Sequence, residues 1–196
     1  MNKEENIAII RAYVLKHSVT DDIHGFKHTE RVYKLCLNLG KKLNADLNIL
    51  KIAALLHDIG RIQEKRDIKK RNHAEISAEL AKNFLEPNRY NLTQNEIDKI
   101  THCIQAHSYS NELVPETLEA KILSDADKLD ALGAIGLYRT IGFTILRNGD
   151  LDDVIEHLEN KILKLKNRLF LDISKDIAST REKIIIDFYN KIKEQK

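Results

Sequence analysis

Apolar residues recur along this chain at spacings of three and four, and nowhere alternate over the length of a strand. The pattern predicts an all-α protein. A first helix is expected from about Lys3 to Lys16, with Ile7, Ile10 and Val14 inward; VTDDIHGF reads as a loop. The next helix begins near His28 and carries the stripe Val32, Leu35, Leu39 and Leu43. Asp46 is placed to cap a third helix, and Gly60 to stop it. Asn72 caps a helix with Ile76, Leu80 and Phe84 that Pro87 ends, and Thr93 with Glu96 forms a capping box ahead of Ile97, Ile100 and Ile104. Pro115 opens a turn or short helix into KILSDADKLDALGAIGLYRT, and two amphipathic helices, about 150–168 and 174 to the end, close the chain.

The third helix poses a chemical question. Ile52, Ala53, Ala54, Leu55 and Leu56 leave it no polar face, yet the chain then continues His57, Asp58. A buried carboxylate is costly unless it is paired or bound to a metal. The helical wheel adds inward histidines from other helices. His28 lies in line with Val32, Leu35 and Leu39; His73 with Ser77, Leu80 and Phe84; His107 with Ile100 and Ile104. His102 falls on the polar face of its helix, and His17 and His157 read as surface or helix-end residues. One inward histidine is ordinarily a satisfied core residue, but three helices offering one each beside His57 and Asp58 suit a divalent cation. Asp127 and Asp130 share a face with Ala131 and Ala134, whereas Asp125 suits a helix cap.

Composition narrows the classes. With 196 residues, 42% hydrophobic and 32% charged, the chain is expected to form one globular domain over 1–196, a motif-bearing core of about 22–140 with C-terminal helices of about 150–196 packed on it. A net charge of +2 gives no reason to expect nucleic-acid or membrane partners. No apolar run reaches membrane-span length and MNKEENIAII does not read as a signal peptide, so a cytoplasmic location is expected. Cys36 and Cys103 form no metal-type pair and read as reduced core thiols.

The blocks HGFKHTERVY, LLHDIG, NHAEISAELA, IQAHSYS and DADKLDALGAIG, in that order, resemble the HD superfamily of metal-dependent phosphohydrolases, most closely its small stand-alone members. The similarity extends to NKILKLKNRL and IASTREKIIIDFY near the C-terminus. It implies a helical HD-domain fold and a divalent metal held by His28, His57, Asp58 and Asp127. His73 and His107 match the extra histidines of members that hold two metals, so one or two ions per chain are implied, with Mn2+ or Mg2+ favoured over Ni2+, Co2+, Zn2+ or Fe2+. His24 matches a recurrent histidine of the first block and reads as a substrate contact. Some HD nucleotidases carry a water-activating glutamate soon after the HD pair; here Gly60 and Arg61 follow, and Glu64 is left without a role.

Phosphoryl transfer needs positioning and charge neutralisation. Asp58, Arg61 and Lys128 are the expected catalytic residues, and Arg31, Lys69, Arg71 and Arg139 the expected phosphate contacts. Lys69 and Arg71 belong to EKRDIKKRN, whose bland reading is a solvated loop. Tyr33, Tyr109 and Tyr138 are candidate platforms for a base. The leading expectation is hydrolysis of a phosphoester or phosphoanhydride in a small phosphate compound, a nucleotide. The competing readings are a non-catalytic regulatory module that binds metal or nucleotide, a purely structural helical domain, and a nuclease. A homodimer through the last two helices is open, as is their packing within one chain.

Overall fold

The computed structural model describes residues 3–88, 90–108 and 113–196, all helix and connecting turns, with no strand among them. Two compact units emerge, Met1–Ser124 and Asp125–Lys196.

The first unit holds α1 (Lys3–His17), α2 (Phe26–Leu43), α3 (Leu47–Leu56), α4 (Arg61–Glu64), α5 (His73–Asn88), α6 (Gln94–Gln105) and the start of α7 (Leu118–Asp130). The apolar helix α3 is its centre, packed by α1, α2 and α6, with Ile49, Leu50 and Ile52 to Leu56 all buried. Each fully buried Leu or Ile there contributes about 1.5–3 kcal/mol of transfer free energy, so this helix needs no polar face. Its start is fixed as expected, by the Asp46 carboxylate accepting the N–H of Asn48 at 2.8 Å and of Ile49 at 3.2 Å. Asn72 likewise caps α5, and Thr93 with Glu96 forms the capping box of α6. Pro87 lies within the last turn of α5 rather than ending it; the chain turns away at Tyr90 and Asn91, with φ of 43° and 59°. Cys36 and Cys103 are buried free thiols, and burial pushes Cys103 up to about 12.

The second unit holds the end of α7, α8 (Gly133–Ile145), α9 (Leu151–Asn160), a 3-10 segment (Ile162–Arg168) and α10 (Asp172–Gln195). Gly133 turns the chain from α7 into α8 at φ +77°, and a Cβ on Gly136 would lie 2.2 Å from the main chain of Ala131. The helix expected over 150–168 breaks at Lys161, because a 3-10 turn eclipses Ile162 and Leu165 and buries both. Asp125 does meet a helix N-terminus, but not that of its own helix. Its two oxygens accept the N–H groups of Phe170 and Leu171, 2.9 Å each, at the start of α10. No helix among the described residues is long and apolar enough to cross a membrane.

Candidate metal centre

Four helix ends in the first unit each deliver one histidine. His28 enters on the first turn of α2, after a loop in which the Asp21 carboxylate accepts the N–H of Ile23 and His24. Only glycine fits at position 25 of that loop, where a Cβ would lie 2.1 Å from the Asp21 carbonyl oxygen. His57 and Asp58 follow the last residue of α3, His73 is the first residue of α5, and His107 lies just beyond α6. Gly60 was expected to stop a helix through backbone freedom, yet its φ is an ordinary −82°. Its role is space: a Cβ would sit 2.6 Å from Ser77 N and 2.7 Å from the His73 carbonyl oxygen. The missing side chain lets the HD segment press against α5, where Gly60 N–H donates to Ser77 Oγ at 2.9 Å.

All five ligand-type side chains are buried. Asp58 lies at their centre and divides its oxygens between two groups. Oδ2 faces His28 Nε2 at 3.4 Å and His57 Nε2 at 3.6 Å; Oδ1 faces His73 Nε2 at 3.5 Å and His107 Nε2 at 3.7 Å. His28, His57 and Asp58 form one set able to hold a metal ion, and Asp58, His73 and His107 another.

The tautomers follow from the neighbours. The Ala54 carbonyl accepts a hydrogen bond from His57 Nδ1–H at 2.8 Å, and the Ile104 carbonyl one from His107 Nδ1–H at 2.6 Å. That turns Nε2, the ligating atom, toward Asp58. His107 Nε2 and Asp58 Oδ1 are buried without a hydrogen bond. Two ligand atoms each about 2.1 Å from a cation and roughly 110–120° apart lie about 3.4–3.6 Å from one another. The observed Asp58 separations, 3.4–3.7 Å, are longer than good hydrogen bonds and close to the size a shared cation gives. The donor set therefore fits a divalent metal.

Burial pushes the Asp58 carboxyl up, but the charge of Arg61 and the surrounding histidines outweighs it and holds the group well below the usual carboxylate range. Arg61 Nε donates to Asp58 Oδ2 at 2.6 Å. Burial also holds His73 below its ordinary value, which favours the neutral ring that binds metals. Glu64, given no role from sequence, accepts the main-chain N–H of His73 at 2.9 Å and faces its Nδ1 at 3.3 Å. Nothing in the nine-residue spacing announces that contact.

The remaining expected residues are placed as follows. His24 is half-buried, its ring edge-on to His28 with centroids 6.4 Å apart, and Arg31 is half-buried on α2. Lys69 is exposed, whereas Arg71 closes its own loop by bonding Asp67 and Glu79. His102 stays outside the cluster, its Nε2 accepting the Glu116 N–H at 3.1 Å. Asp127, Lys128 and Arg139 belong to the second unit. There Asp127 is half-buried, Lys128 is buried with its ammonium 5.7 Å from the Phe170 ring centre, and Arg139 is buried against Asp130 at 2.9 Å. Arg11 lies over the Tyr33 ring, Tyr138 is exposed, and Tyr109 lies outside the described residues.

The HD domain family model matches residues 25–132, and the chain belongs to that family. Bacillus subtilis YpgQ is 28% identical over 177 residues, covering 86% of this chain and 82% of YpgQ. A crystal structure of YpgQ in complex with ADP matches with a TM-score of 0.78 at 24% identity, over 100% of this chain and 97% of that one. An HD-superfamily hydrolase from Bacillus thuringiensis matches with a TM-score of 0.73 at 27% identity, over 99% and 98% of the two chains. Ribonuclease Y of Lawsonia intracellularis is 30% identical over 156 residues; the match covers 80% of this chain but only 26% of that enzyme.

Proposed function

We propose that this protein is a cytoplasmic divalent-metal-dependent phosphohydrolase that cleaves a phosphoester or phosphoanhydride bond of a small phosphate compound, a nucleotide. The observation that carries the reading is the buried carboxylate of Asp58, set among four imidazole Nε2 atoms at 3.4–3.7 Å with no hydrogen bond to its Oδ1. Histidine nitrogens and a carboxylate oxygen suit Mn2+ and related cations. His28, His57 and Asp58 would hold the first ion, and Asp58, His73 and His107 a second; the family resemblance implies Asp127 as a further ligand of the first. A bound divalent cation supplies Lewis acidity at a phosphoryl oxygen and lowers the pKa of a water. The chain's own groups do the rest. Asp58 orients the attacking water, and Arg61, already beside Asp58, neutralises charge on the phosphoryl group. His24, Arg31, Lys69 and Arg71 gather the remaining phosphates, and Lys128 and Arg139 are the further cations expected from the sequence. The complex of YpgQ with ADP supports a nucleotide.

The test is metal analysis of protein purified without chelator, beside His57→Ala and Asp127→Ala, followed by phosphate and pyrophosphate release from nucleotides supplied with Mn2+ or Mg2+. A short RNA belongs in the panel because of the ribonuclease Y similarity. Metal and turnover in the wild type, both lost in both variants, are the expected result. A wild type that takes up no metal refutes the reading. Metal uptake with no turnover across the panel favours a regulatory module that binds nucleotide.

A further inference from the structure

The histidines around Asp58 are not all held alike. His57 and His107 each donate a hydrogen bond from Nδ1–H to a main-chain carbonyl of the preceding helical turn, at 2.8 and 2.6 Å. Such acceptors are fixed by the helix itself. His73 is held by a side chain instead. Glu64, at the end of the four-residue α4, faces Nδ1 of His73 at 3.3 Å and accepts its main-chain N–H at 2.9 Å. An ionised carboxylate only accepts, so the Nδ1 proton sits between ring and Glu64, and the Nε2 lone pair is turned toward Asp58 Oδ1.

We infer that Glu64 is the positioning residue of the second metal group, Asp58, His73 and His107, and that a second ion binds only as tightly as Glu64 allows. This rests on the metal-site reading above. Glu64 acts in two ways. It selects the tautomer and ring plane of His73, and its charge makes that imidazole a stronger donor, as carboxylate partners of ligating histidines do. At His57 and His107 the Nδ1 atoms face neutral main-chain carbonyls instead. The Glu64 side chain is 35% exposed and its helix is a single turn, so this support is separable from the buried first group. The chain thereby makes its second site conditional on Glu64.

The experiment is Mn2+ titration of the metal-stripped full chain by calorimetry, with electron paramagnetic resonance at each stoichiometry, for wild type, Glu64→Gln and Glu64→Ala. The glutamine keeps an oxygen able to accept the His73 N–H, so it isolates the charge. Wild type is expected to bind two ions and to show the signal of an exchange-coupled pair. In Glu64→Gln the second event should weaken by about 10–100-fold while the first changes less than about twofold; in Glu64→Ala the second should weaken further. Melting curves of the metal-free proteins accompany the titrations. A lost second event with unchanged melting supports the inference, and a loss that merely follows a fall in melting temperature overturns it. It is also overturned if Glu64→Gln binds both ions normally, if both events weaken equally, or if wild type binds one ion. A wild type that binds none refutes the metal-site reading itself.

Discussion

Gly60→Ala sets two physical effects against each other at the point where the HD segment meets α5. Backbone conformation favours the substitution. Gly60 has φ −82° and ψ −6°, which alanine adopts without strain, so the smaller conformational freedom of the unfolded chain should stabilise by about 0.4–1 kcal/mol. Packing opposes it. The new Cβ would lie 2.6 Å from Ser77 N, 2.7 Å from the His73 carbonyl oxygen and 2.9 Å from Ser77 Oγ, so the start of α5 must retreat. Overpacking of a core costs about 1–3 kcal/mol, and the upper half of that range applies because two of the three atoms are main chain and cannot rotate away. Packing wins by about 2 kcal/mol, a fall in melting temperature of about 4–8 °C for a chain of this length. The retreat also carries His73 away from Asp58 Oδ1, so Mn2+ uptake should fall more than stability alone explains. Circular-dichroism melting of metal-free protein and Mn2+ titration measure the two effects. Adding Ser77→Ala removes only the Oγ contact and should not restore either. A Gly60→Ala protein that melts at or above the wild-type temperature with normal Mn2+ uptake refutes this account of Gly60.

Other elements give further expectations. Asp125→Ala strands two N–H groups at the start of α10 and should destabilise by about 2–4 kcal/mol in urea, whereas Asp125→Asn, which keeps one acceptor, should lose roughly half as much; an alanine variant as stable as wild type would contradict the cap. Thr93→Ala should cost about 1 kcal/mol. The Thr93 main-chain and side-chain donors hold the Glu96 carboxyl below its ordinary value. That stabilisation is complete above the unfolded pKa of about 4.3 and lost as the pH falls through the lower folded value. Thr93→Ala keeps the main-chain donor and removes the hydroxyl, so it should partly flatten this part of the acid limb, and an unchanged limb would refute the hydroxyl's share. In the basic loop, Lys69→Ala should lower kcat/KM for a phosphate substrate at unchanged melting temperature. Arg71→Ala, which releases Asp67 and Glu79, should lower the melting temperature as well as kcat/KM; an unchanged melting temperature would refute its hold on the loop.

Much of the fold was legible because its signals are local. Asp46, Asn72 and the Thr93–Glu96 pair cap helices within three residues of themselves, and the burial of α3 is written in an unbroken apolar run. The wheel also separated His107, which reaches Asp58, from His102, which accepts the Glu116 N–H on the polar face. What the wheel could not supply was any meeting between helices. The division of Asp58 between two histidine pairs depends on four helix ends that arrive from 28, 57, 73 and 107. The bond from Asp125 to 170 and 171, the pairing of Arg139 with Asp130, and the hold of Glu64 on His73 depend on how the chain packs. Gly60 is the sharpest case, since its local reading as a helix stop gave way to a space requirement set by α5. Periodicity and capping act over a few residues and are therefore carried by sequence alone. Distances between side chains from separate helices arise from packing, and the tertiary structure alone decided them.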